Sequence, residues 1–550
     1  MRLGTWASSA CTITPGLPQG SALSPVLFNV YTVGITADQM RGPGRTLSFA
    51  DDGLAYRTGK DRQAIADSVQ EELDRIGTWC EDNNGKIHPG KASVLWCSLN
   101  NRAVRAEMPE VSINGQPIQR EESLRYLGIV FDRTLCGREH ITRVITKARR
   151  GLNAVKVMAR DRMPQRALVL MLDMLVLSQI DYGFGILTLS KTQIKRLEVI
   201  QNEGMRAVLG CTRDTSAAAM RHLLGLPNME ERHKLAQVKA FLKVCADPKH
   251  PLHGKIGRRV ESRLKRGTEW MTQAARTIEE CGLSVEAIMR GEAWVAVADK
   301  SRASFTKVVA TLGRECREWP EGATHSEIQA LIEENCREDE MIVYTDGSVQ
   351  RGTKSGWAFT ASRQGVTKQE SAGATGLTTS SMCMEVKAIT EALKWLSSSK
   401  EQSATFLTDS MSTLDKIKRG RMYADWLVSI ESSDLSRLQW IFCPGHAGVK
   451  GNERADELAG TAVIDGELKL DGPTVLRIVR DHLANRRVEE SYTKDRLIES
   501  GVKYGEGRKS NVRDPTRRYT NQLMMETISV YTLKWSLQRR AEEVWVNSSQ

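Results

Sequence analysis

Several features that define other classes of protein are missing from this chain of 550 residues. Its 11 cysteines are odd in number and scattered, and no CxxC pair occurs, so neither a zinc knuckle nor a disulfide framework is indicated. Reduced thiols in an intracellular compartment, nucleus or cytoplasm, are the expectation. The N-terminus lacks the basic and apolar stretches of a signal peptide. The most apolar run, residues 167–177, is too short to span a bilayer, so we expect a soluble chain with no membrane partner.

Acidic residues are outnumbered by basic ones, 67 against 78, which gives a net charge of +11. A basic excess of this size fits a surface that binds nucleic acid, although charge alone is equally compatible with a merely basic soluble protein. A hydrophobic content of 40% with 26% charged residues is ordinary for globular proteins. The length predicts roughly two to four domains.

Changes in residue pattern divide the chain into five regions. Strand-like and helical pieces alternate in residues 1–135, whereas residues 136–245 are mostly helical. Residues 246–338 are polar and are predicted to form a helical connector. Short strands followed by helices occupy residues 339–465, and the charged remainder, 466–550, is predicted to be a basic helical tail. The predicted fold class is therefore an α/β multidomain protein.

Four acidic residues within 339–465 lie where strands end or helices begin. Asp346 and Asp409 each come at the end of an apolar strand. Glu385 is the first member of the apolar stripe of a helix, where a carboxylate is costly to bury unless a partner such as a metal ion is present. Asp456 lies at the edge of the buried face of a later helix.

Oxygen ligands of this kind suit hard divalent cations such as Mg²⁺. Two such ions about 4 Å apart can stabilise the attacking water and the leaving oxygen of a phosphodiester. Taken alone, each residue has an ordinary explanation: an Asp at a strand end is usually a turn former, and His446 would usually be a loop histidine. The four acids in this context favour a metal-dependent hydrolase over those explanations.

The segments that contain these acids resemble type 1 ribonuclease H over about residues 339–465. The matching segments are Tyr344–Ser348, Met384 with Glu385, Leu407–Ser410, Pro444–His446 and Gly451–Asp456. The resemblance implies a mixed five-stranded sheet flanked by helices, and an endonuclease that uses two Mg²⁺ ions, or Mn²⁺, to cut the RNA strand of an RNA–DNA hybrid.

The same resemblance assigns a role to each residue. The metal ligands that it implies are Asp346, Glu385, Asp409 and Asp456, with His446 as a catalytic residue that assists product release or proton transfer. The spacing between Asp409 and Asp456 is short beside cellular enzymes that carry an extra basic helix. We therefore expect hybrid binding to depend on other parts of the chain.

Residues 14–245 resemble the C-terminal part of a reverse transcriptase from non-LTR (LINE-type) retrotransposons. The run Gly16–Ser21, which includes Gln19 and Gly20, resembles the segment beside the nascent base pair. Asp51 and Asp52 resemble the metal-binding turn of the catalytic hairpin. An Asp-Asp turn alone would be taken as an exposed hairpin, but the preceding run favours the polymerase interpretation.

Further segments support the same resemblance. Lys91 occupies the basic position of the next motif, and Tyr126–Ile129 resembles the strand that grips the primer. Residues 197–227 resemble the helical thumb. Together these segments predict a partial polymerase palm over 1–135 and a thumb-like region over 136–245.

The polymerase family also needs a catalytic Asp well upstream of Gly16–Ser21, and the first 15 residues contain neither Asp nor Glu. We therefore expect a chain that begins inside the palm and does not polymerise alone. The leading prediction is an RNA–DNA hybrid ribonuclease. The alternatives are a residual RNA-directed DNA polymerase completed by another chain, and a non-catalytic nucleic-acid-binding relic. The sequence sets no oligomeric state.

Overall fold

The computed structural model places the chain in two compact units, Met1–Thr146 and Lys147–Gln550. The residues it describes are 2–3, 6–7, 20–37, 44–85, 87, 89–98, 107–257, 269–289, 294–297, 306–312, 319, 321–350, 353–377, 379–446, 448–464, 470, 472–485, 498–499, 501, 505 and 508.

The first unit combines two long helices with antiparallel hairpins. Its helices and strands are β1 (Arg2–Leu3), β2 (Trp6–Ala7), α1 (Ser24–Ala37), β3 (Gly44–Phe49), β4 (Asp52–Arg57), α2 (Arg62–Asp82), β5 (Ser93–Val94), β6 (Ser112–Ile113), β7 (Gln116–Pro117), β8 (Gln119–Arg120), β9 (Ser123–Tyr126) and β10 (Ile129–Asp132). The predicted hairpin around the Asp-Asp pair is present, because β3 and β4 pair in antiparallel register from Gly44↔Arg57 to Phe49↔Asp52.

The segment Tyr126–Ile129 forms a turn and not a continuous strand. β9 and β10 pair antiparallel, with Tyr126 opposite Ile129. The two residues between them, Leu127 and Gly128, both have positive φ angles, of 45° and 84°. Two successive left-handed residues reverse the chain, so the apolar run that resembles one strand is divided into a hairpin.

A buried charge cluster holds α2 against the β3–β4 hairpin. The side chain of Glu72 is fully buried and forms ion pairs with Arg57 at 3.2 Å and Arg75 at 2.7 Å. Thr46 of β3 donates a hydrogen bond of 2.5 Å to the same carboxylate. Burial raises the pKa of Glu72, but the hydrogen bonds from Arg75 and Thr46 and the charges of both arginines outweigh it, so that the pKa lies below its usual value.

The middle of the chain is helical, as the sequence predicts. Its elements are α3 (Arg138–Arg160), α4 (Gln165–Leu172), a π-helical turn (Asp173–Leu177), α5 (Ser178–Asp181), α6 (Lys191–Leu209), α7 (Ala217–Leu224), α8 (Met229–Ala246), α9 (Trp270–Glu279) and α10 (Val285–Met289). Ser190 and Asn228 form capping boxes at the starts of α6 and α8, and Gly210 and Gly225 end α6 and α7 in the left-handed conformation.

One stretch of this region, Gln165–Ile186, is long and apolar enough to cross a membrane, with a mean hydropathy of 1.5 over its most apolar window. Core helices of soluble proteins have the same property, so this is weak evidence. Leu168, Leu172 and Val176 are completely buried, and Gly204 of α6 lies where an added Cβ would collide with Leu172. The absence of a membrane partner stays a prediction.

A six-stranded mixed sheet dominates the C-terminal part of the second unit. Its strands and the associated elements are β11 (Trp294–Ala296), β12 (Lys307–Val309), α11 (Glu321–Asn335), β13 (Met341–Gln350), β14 (Lys354–Arg363), β15 (Val366–Thr375), α12 (Ser381–Ser398), β16 (Ser403–Thr408), α13 (Met411–Lys418), β17 (Arg421–Tyr423), α14 (Ala424–Ser432), β18 (Arg437–Phe442), α15 (Lys450–Thr461) and α16 (Gly472–Asn485). The strand order is β12-β18-β16-β13-β14-β15.

The order of these strands explains their composition. β13, β16 and β18 are parallel neighbours in the middle of the sheet. Five consecutive residues are buried in both β16 and β18, whereas buried and partly buried residues alternate along the first half of β13. α12 packs its apolar stripe on the sheet, with Ile389, Leu393 and Leu396 at most 1% exposed. Trp426 and Trp440 are fully buried and stacked in the same core.

The expected five strands all fall within residues 339–465 and are β13, β14, β15, β16 and β18. Lys307–Val309 adds a sixth strand from outside this range, because it pairs in parallel with residues 439–441 of β18. The expectation of a helical connector is wrong, since β12 and β11 both fall within it and β11 pairs with β17. Strands of three residues are too short to show an alternating pattern and are fixed by pairing with distant partners.

The predicted tail begins with a helix that packs into the second unit. Val475, Ile478 and Val479 of α16 are buried in one apolar cluster with α8, α9 and α10. The rest of residues 466–550 lies almost entirely outside the described residues. The bounds of the five predicted regions stay predictions.

Candidate active site

The register of the central parallel strands brings two of the predicted acids side by side. The last parallel pair between β13 and β16 is Thr345↔Thr408. Asp346 and Asp409 are the next residue on each strand, so they lie at the same level of adjacent strands. The prediction that the strand ends at Asp346 is wrong, because β13 continues to Gln350 in antiparallel register with β14.

Glu385 reaches the same level from the first turns of α12. The side chain of Ser380 caps this helix by accepting a hydrogen bond from the Cys383 backbone N–H at 3.0 Å. The helix approaches β13 very closely at Gly347, where an added Cβ would lie 2.5 Å from the backbone nitrogen of Glu385. Glycine at this position therefore allows the start of α12 to lie directly against β13. The Glu385 residue that this brings to the sheet is only 2% exposed.

The three acids form one cluster. One ligand oxygen from each of Asp346, Glu385 and Asp409 lies within 4.8 Å of the others. Asp456 of α15 contributes a fourth carboxylate, since its side chain hydrogen-bonds with Asp346. These four residues, together with His446, line one open cleft, hereafter the acid cleft.

The electrostatics of the acid cleft disfavour the simultaneous ionisation of its four carboxyl groups. Burial, with added repulsion from Asp409 and Asp456, raises the pKa of Asp346 from 3.8 to about 7. Burial raises the pKa of Glu385 well above its usual value, and the neighbouring charges of Asp346 and Asp409 add to the effect. These carboxyl groups therefore need a proton or a cation to be stable at neutral pH.

Two threonines that the sequence interpretation did not single out hold Glu385 in place. Thr345 donates a hydrogen bond of 2.7 Å to Oε1, and Thr408 donates a second, very close one to the same oxygen. The other oxygen, Oε2, is buried and has no hydrogen-bond partner. Both threonines directly precede a predicted acid on its strand, and this adjacency is the sequence signal that could have identified them.

His446 lies at the rim of the acid cleft. Its side chain is 82% exposed, and Nδ1 is 3.5 Å from a carboxylate oxygen of Asp456. The residue has a φ of 55°, which non-glycine residues rarely adopt, so the loop rather than the residue's own preference sets its position. Asn452 of α15 is another cleft residue that the sequence did not indicate; it is 3% exposed and its Oδ1 has no hydrogen-bond partner.

The residues of the acid cleft fit a divalent cation. The donor set consists of carboxylate oxygens, which Mg²⁺ and Mn²⁺ prefer. The unpartnered Oε2 of Glu385 and the raised pKa of Asp346 are both features that a bound cation would correct. In the described part of the chain, this is the acidic cluster close enough to hold a metal ion.

The predicted polymerase residues lie in the first unit. Asp51 and Asp52 are exposed at the β3–β4 turn, and Lys91 is exposed before β5. Asp52 lies near the β9–β10 hairpin, since burial and then the charge of Asp52 raise the pKa of Tyr126. Gly20 has a φ of 89°, and Gln19 lies outside the described residues.

Comparison with known families gives two matches along the chain. Residues 338–464 match the family model described as RNase H, and residues 2–131 match the model described as reverse transcriptase (RNA-dependent DNA polymerase). The RNase H match covers all four acids of the cleft as well as His446. The reverse transcriptase match covers the β3–β4 hairpin.

Comparison with individual proteins points to mobile elements. The probable RNA-directed DNA polymerase from transposon X-element of Drosophila melanogaster is 26% identical over 217 residues, which are 38% of this chain and 23% of that protein. The RNA-directed DNA polymerase from mobile element jockey of the same fly is 24% identical over 279 residues, 48% of this chain and 30% of that protein. The chain therefore spans about a quarter of the length of these relatives.

Among solved structures, an N-terminal RNase H domain from Mycobacterium tuberculosis, fused to maltose binding protein, is 18% identical. The alignment covers 22% of this chain and 98% of that one, with a TM-score of 0.19.

Residues 2–131 therefore match a reverse transcriptase model and residues 338–464 an RNase H model, in the predicted order, within an α/β multidomain protein. Its curated relatives are the RNA-directed DNA polymerases of non-LTR retrotransposons, which confirms the predicted resemblance. The RNase H match also supports the predicted enzyme class, an RNA–DNA hybrid ribonuclease.

Proposed function

We propose that this chain is a metal-dependent endonuclease that hydrolyses the RNA strand of RNA–DNA hybrids, as part of a retrotransposon reverse transcriptase. The observation that carries the proposal is the acid cleft, where Asp346, Glu385 and Asp409 converge within 4.8 Å from three separate elements. The RNase H match over residues 338–464 supplies the substrate class.

Asp346, Glu385, Asp409 and Asp456 would hold two Mg²⁺ ions, with Mn²⁺ as a substitute. Bound divalent ions offset the negative charge of a scissile phosphate and activate water for attack on it. Thr345 and Thr408 fix one oxygen of Glu385 through their hydroxyl groups, and the other oxygen, which has no hydrogen-bond partner, would be available as a metal ligand. The protein thereby presents a preformed ligand set.

His446 would accept and release a proton at the rim of the acid cleft. It is exposed, and Nδ1 lies 3.5 Å from Asp456. A histidine in this position can accept a proton as the product leaves and pass it to solvent.

Cleavage of a hybrid by the full chain tests the proposal. The RNA strand of a labelled RNA–DNA hybrid is incubated with magnesium and with the wild type or with Asp409→Asn. The wild type should cut the RNA strand, and the variant should lose at least about 100-fold in rate, because one ligand of the cation is lost. Asp415→Asn, an exposed acid on the next helix, is the matched control and should cut normally.

A folded wild type that binds hybrid without cutting it, with magnesium and with manganese, would refute the proposal. The chain would then be the non-catalytic nucleic-acid-binding relic.

A second candidate function is RNA-directed DNA synthesis. The observation that favours it is the reverse transcriptase match over residues 2–131, together with the hairpin that exposes Asp51 and Asp52 at its turn. In this candidate, residues 1–135 act as part of a palm and residues 136–245 as a thumb, with Gln19, Gly20 and Lys91 near the template or nucleotide. Extension of a primed RNA template, abolished by the double change of Asp51 and Asp52 to Asn, would establish it.

A further inference from the structure

A basic segment follows Asp409 of the acid cleft along the chain. It runs from the last turn of α13 into β17 and contains Lys416, Lys418, Arg419 and Arg421. Lys418, Arg419 and Arg421 are exposed, whereas Lys416 is partly buried. Exposed basic side chains beside a cleavage site are the usual contacts for the phosphates of a nucleic acid.

Lys416 is the member of this segment that faces the acid cleft. Its ammonium nitrogen lies 4.0 Å from the sulfur of Met382, and Ser412 contacts the same sulfur at 3.6 Å. Met382 and Ser412 both line the cleft with the four acids. The ammonium group of Lys416 therefore contacts a residue that lines the cleft.

Lys416 is held in this position by an aromatic ring from outside the region matched to RNase H. Its ammonium nitrogen lies 4.3 Å from the ring centroid of Trp294. A cation above an aromatic face is attracted by the ring, and the contact restricts a long and otherwise flexible side chain. The ring of Trp294 therefore limits the positions that the ammonium group of Lys416 can take.

Trp294 is itself firmly anchored. It is the first residue of β11, where it pairs with Tyr423 of β17. Its ring packs on the rings of Tyr423 at 4.5 Å and Trp426 at 5.4 Å, and Trp426 is fully buried. Arg421 donates a hydrogen bond of 3.0 Å to its carbonyl oxygen. The ring is thus an extension of the hydrophobic core, and it provides a rigid base for a lysine at the surface.

We propose that Lys416 binds a backbone phosphate of the nucleic acid in the acid cleft and that Trp294, from the connector, is its positioning residue. The identity of the ligand rests on the proposed function, because the hybrid is the substrate assigned to this cleft. An ordered cation next to four acids gives the substrate a fixed point of attachment without adding a ligand to the metal site.

Binding measured separately from cleavage tests the inference. In the full chain carrying Asp409→Asn, the affinity for a labelled RNA–DNA hybrid is measured by fluorescence anisotropy over a range of salt concentrations with magnesium present. Lys416→Met keeps the length and the packing of the side chain but removes its charge. It should weaken binding roughly three- to tenfold and reduce the slope of log affinity against log salt by about one, as expected for one lost phosphate contact.

Lys394→Met is the matched control. Lys394 lies on α12, about 13 Å along the helix axis beyond Glu385, and its side chain is 48% exposed. It should leave both the affinity and the salt slope unchanged. Lys416→Arg should retain the slope, because the charge is kept.

Trp294→Leu tests the positioning role. It should weaken binding in the wild-type lysine background, but should add nothing to Lys416→Met, because the two side chains act through one contact. In the cleaving enzyme, either change should raise KM and leave kcat within about twofold.

The inference would be overturned by equal affinities and salt slopes for Lys416→Met and Lys394→Met. Additive effects of Trp294→Leu and Lys416→Met would overturn the positioning role. A wild type that binds hybrid and never cuts it would instead refute the proposed function, while the salt slopes would still decide the role of Lys416.

Discussion

The acid cluster should make the metal-free protein less stable as the pH rises. The pKa of Asp346 is raised from 3.8 to about 7 by burial, with repulsion from Asp409 and Asp456 adding to it. Since the folded state holds this proton more tightly than the unfolded state, its stabilising contribution is complete below pH 3.8 and is lost as the pH rises through about 7. Magnesium should reverse the loss, because a cation replaces the proton.

The size of the effect follows from the shift in pKa. A change from 3.8 to about 7 corresponds to about 4 kcal/mol, at about 1.4 kcal/mol for each unit. Asp346 is only partly buried, so solvent screening lowers this value. A comparison of pH 5 with pH 8 covers roughly two of the three pH units that separate the two pKa values of Asp346. We expect the free energy of unfolding to fall by about 2 kcal/mol over this range, which lowers the melting temperature by roughly 4–8 °C.

Thermal unfolding of the full chain in a chelator, at both pH values, measures this effect. The transition that belongs to the nuclease part is the one that moves when magnesium is added at pH 8. Asp346→Asn should flatten its pH dependence and should be more stable than the wild type at pH 8 without metal, because one negative charge is removed. Asp415→Asn should behave as the wild type. A metal-free wild type whose stability is equal at the two pH values, or higher at pH 8, would contradict the reasoning.

Two further changes test the packing. Glu72→Gln should destabilise the first unit by about 3 kcal/mol or more, because Arg57 is left buried without its partner. Glu71→Gln, which changes the adjacent exposed residue, should have little effect. Thermal unfolding of both variants measures the difference, and equal stabilities would refute the role of the charge cluster. Gly347→Ala should push α12 away from β13, lower the free energy of unfolding by about 1–3 kcal/mol and reduce hybrid cleavage at least about tenfold. Gly460→Ala should cut normally, because the space around Gly460 is open. Normal cleavage by Gly347→Ala would show that the close approach of α12 to β13 is unimportant.

The sequence signals for the residues of the acid cleft are local. Asp346 and Asp409 each follow the apolar part of a strand, and Glu385 opens an apolar helical stripe, so the residue pattern alone places each on its element. The structure adds the register Thr345↔Thr408, which sets the two aspartates side by side. Register depends on pairing between distant segments, and no local pattern contains it.

The errors have the same origin. β11 and β12 have three residues each, and their strand conformation comes from pairing with β17 and β18 more than 100 residues later. The β9–β10 hairpin was missed because its turn, Leu127 and Gly128, has an apolar residue at a position with positive φ. Asparagine or aspartate is the usual signal there, so leucine hides the turn.

The pairing of β12 with β18 bears on how this nuclease could be transferred between proteins. Without Lys307–Val309, β18 would become the outer strand, and its apolar sequence, with Leu438, Trp440 and Phe442, would present unpaired backbone groups. Exposed apolar edges of this kind promote aggregation between chains. A recombination event or an excision at residue 338, where the RNase H match begins, would create such an edge. The segment needed to cover this edge therefore begins before the region that contains the acid cleft, and a fragment transferred to another protein should begin before Trp294.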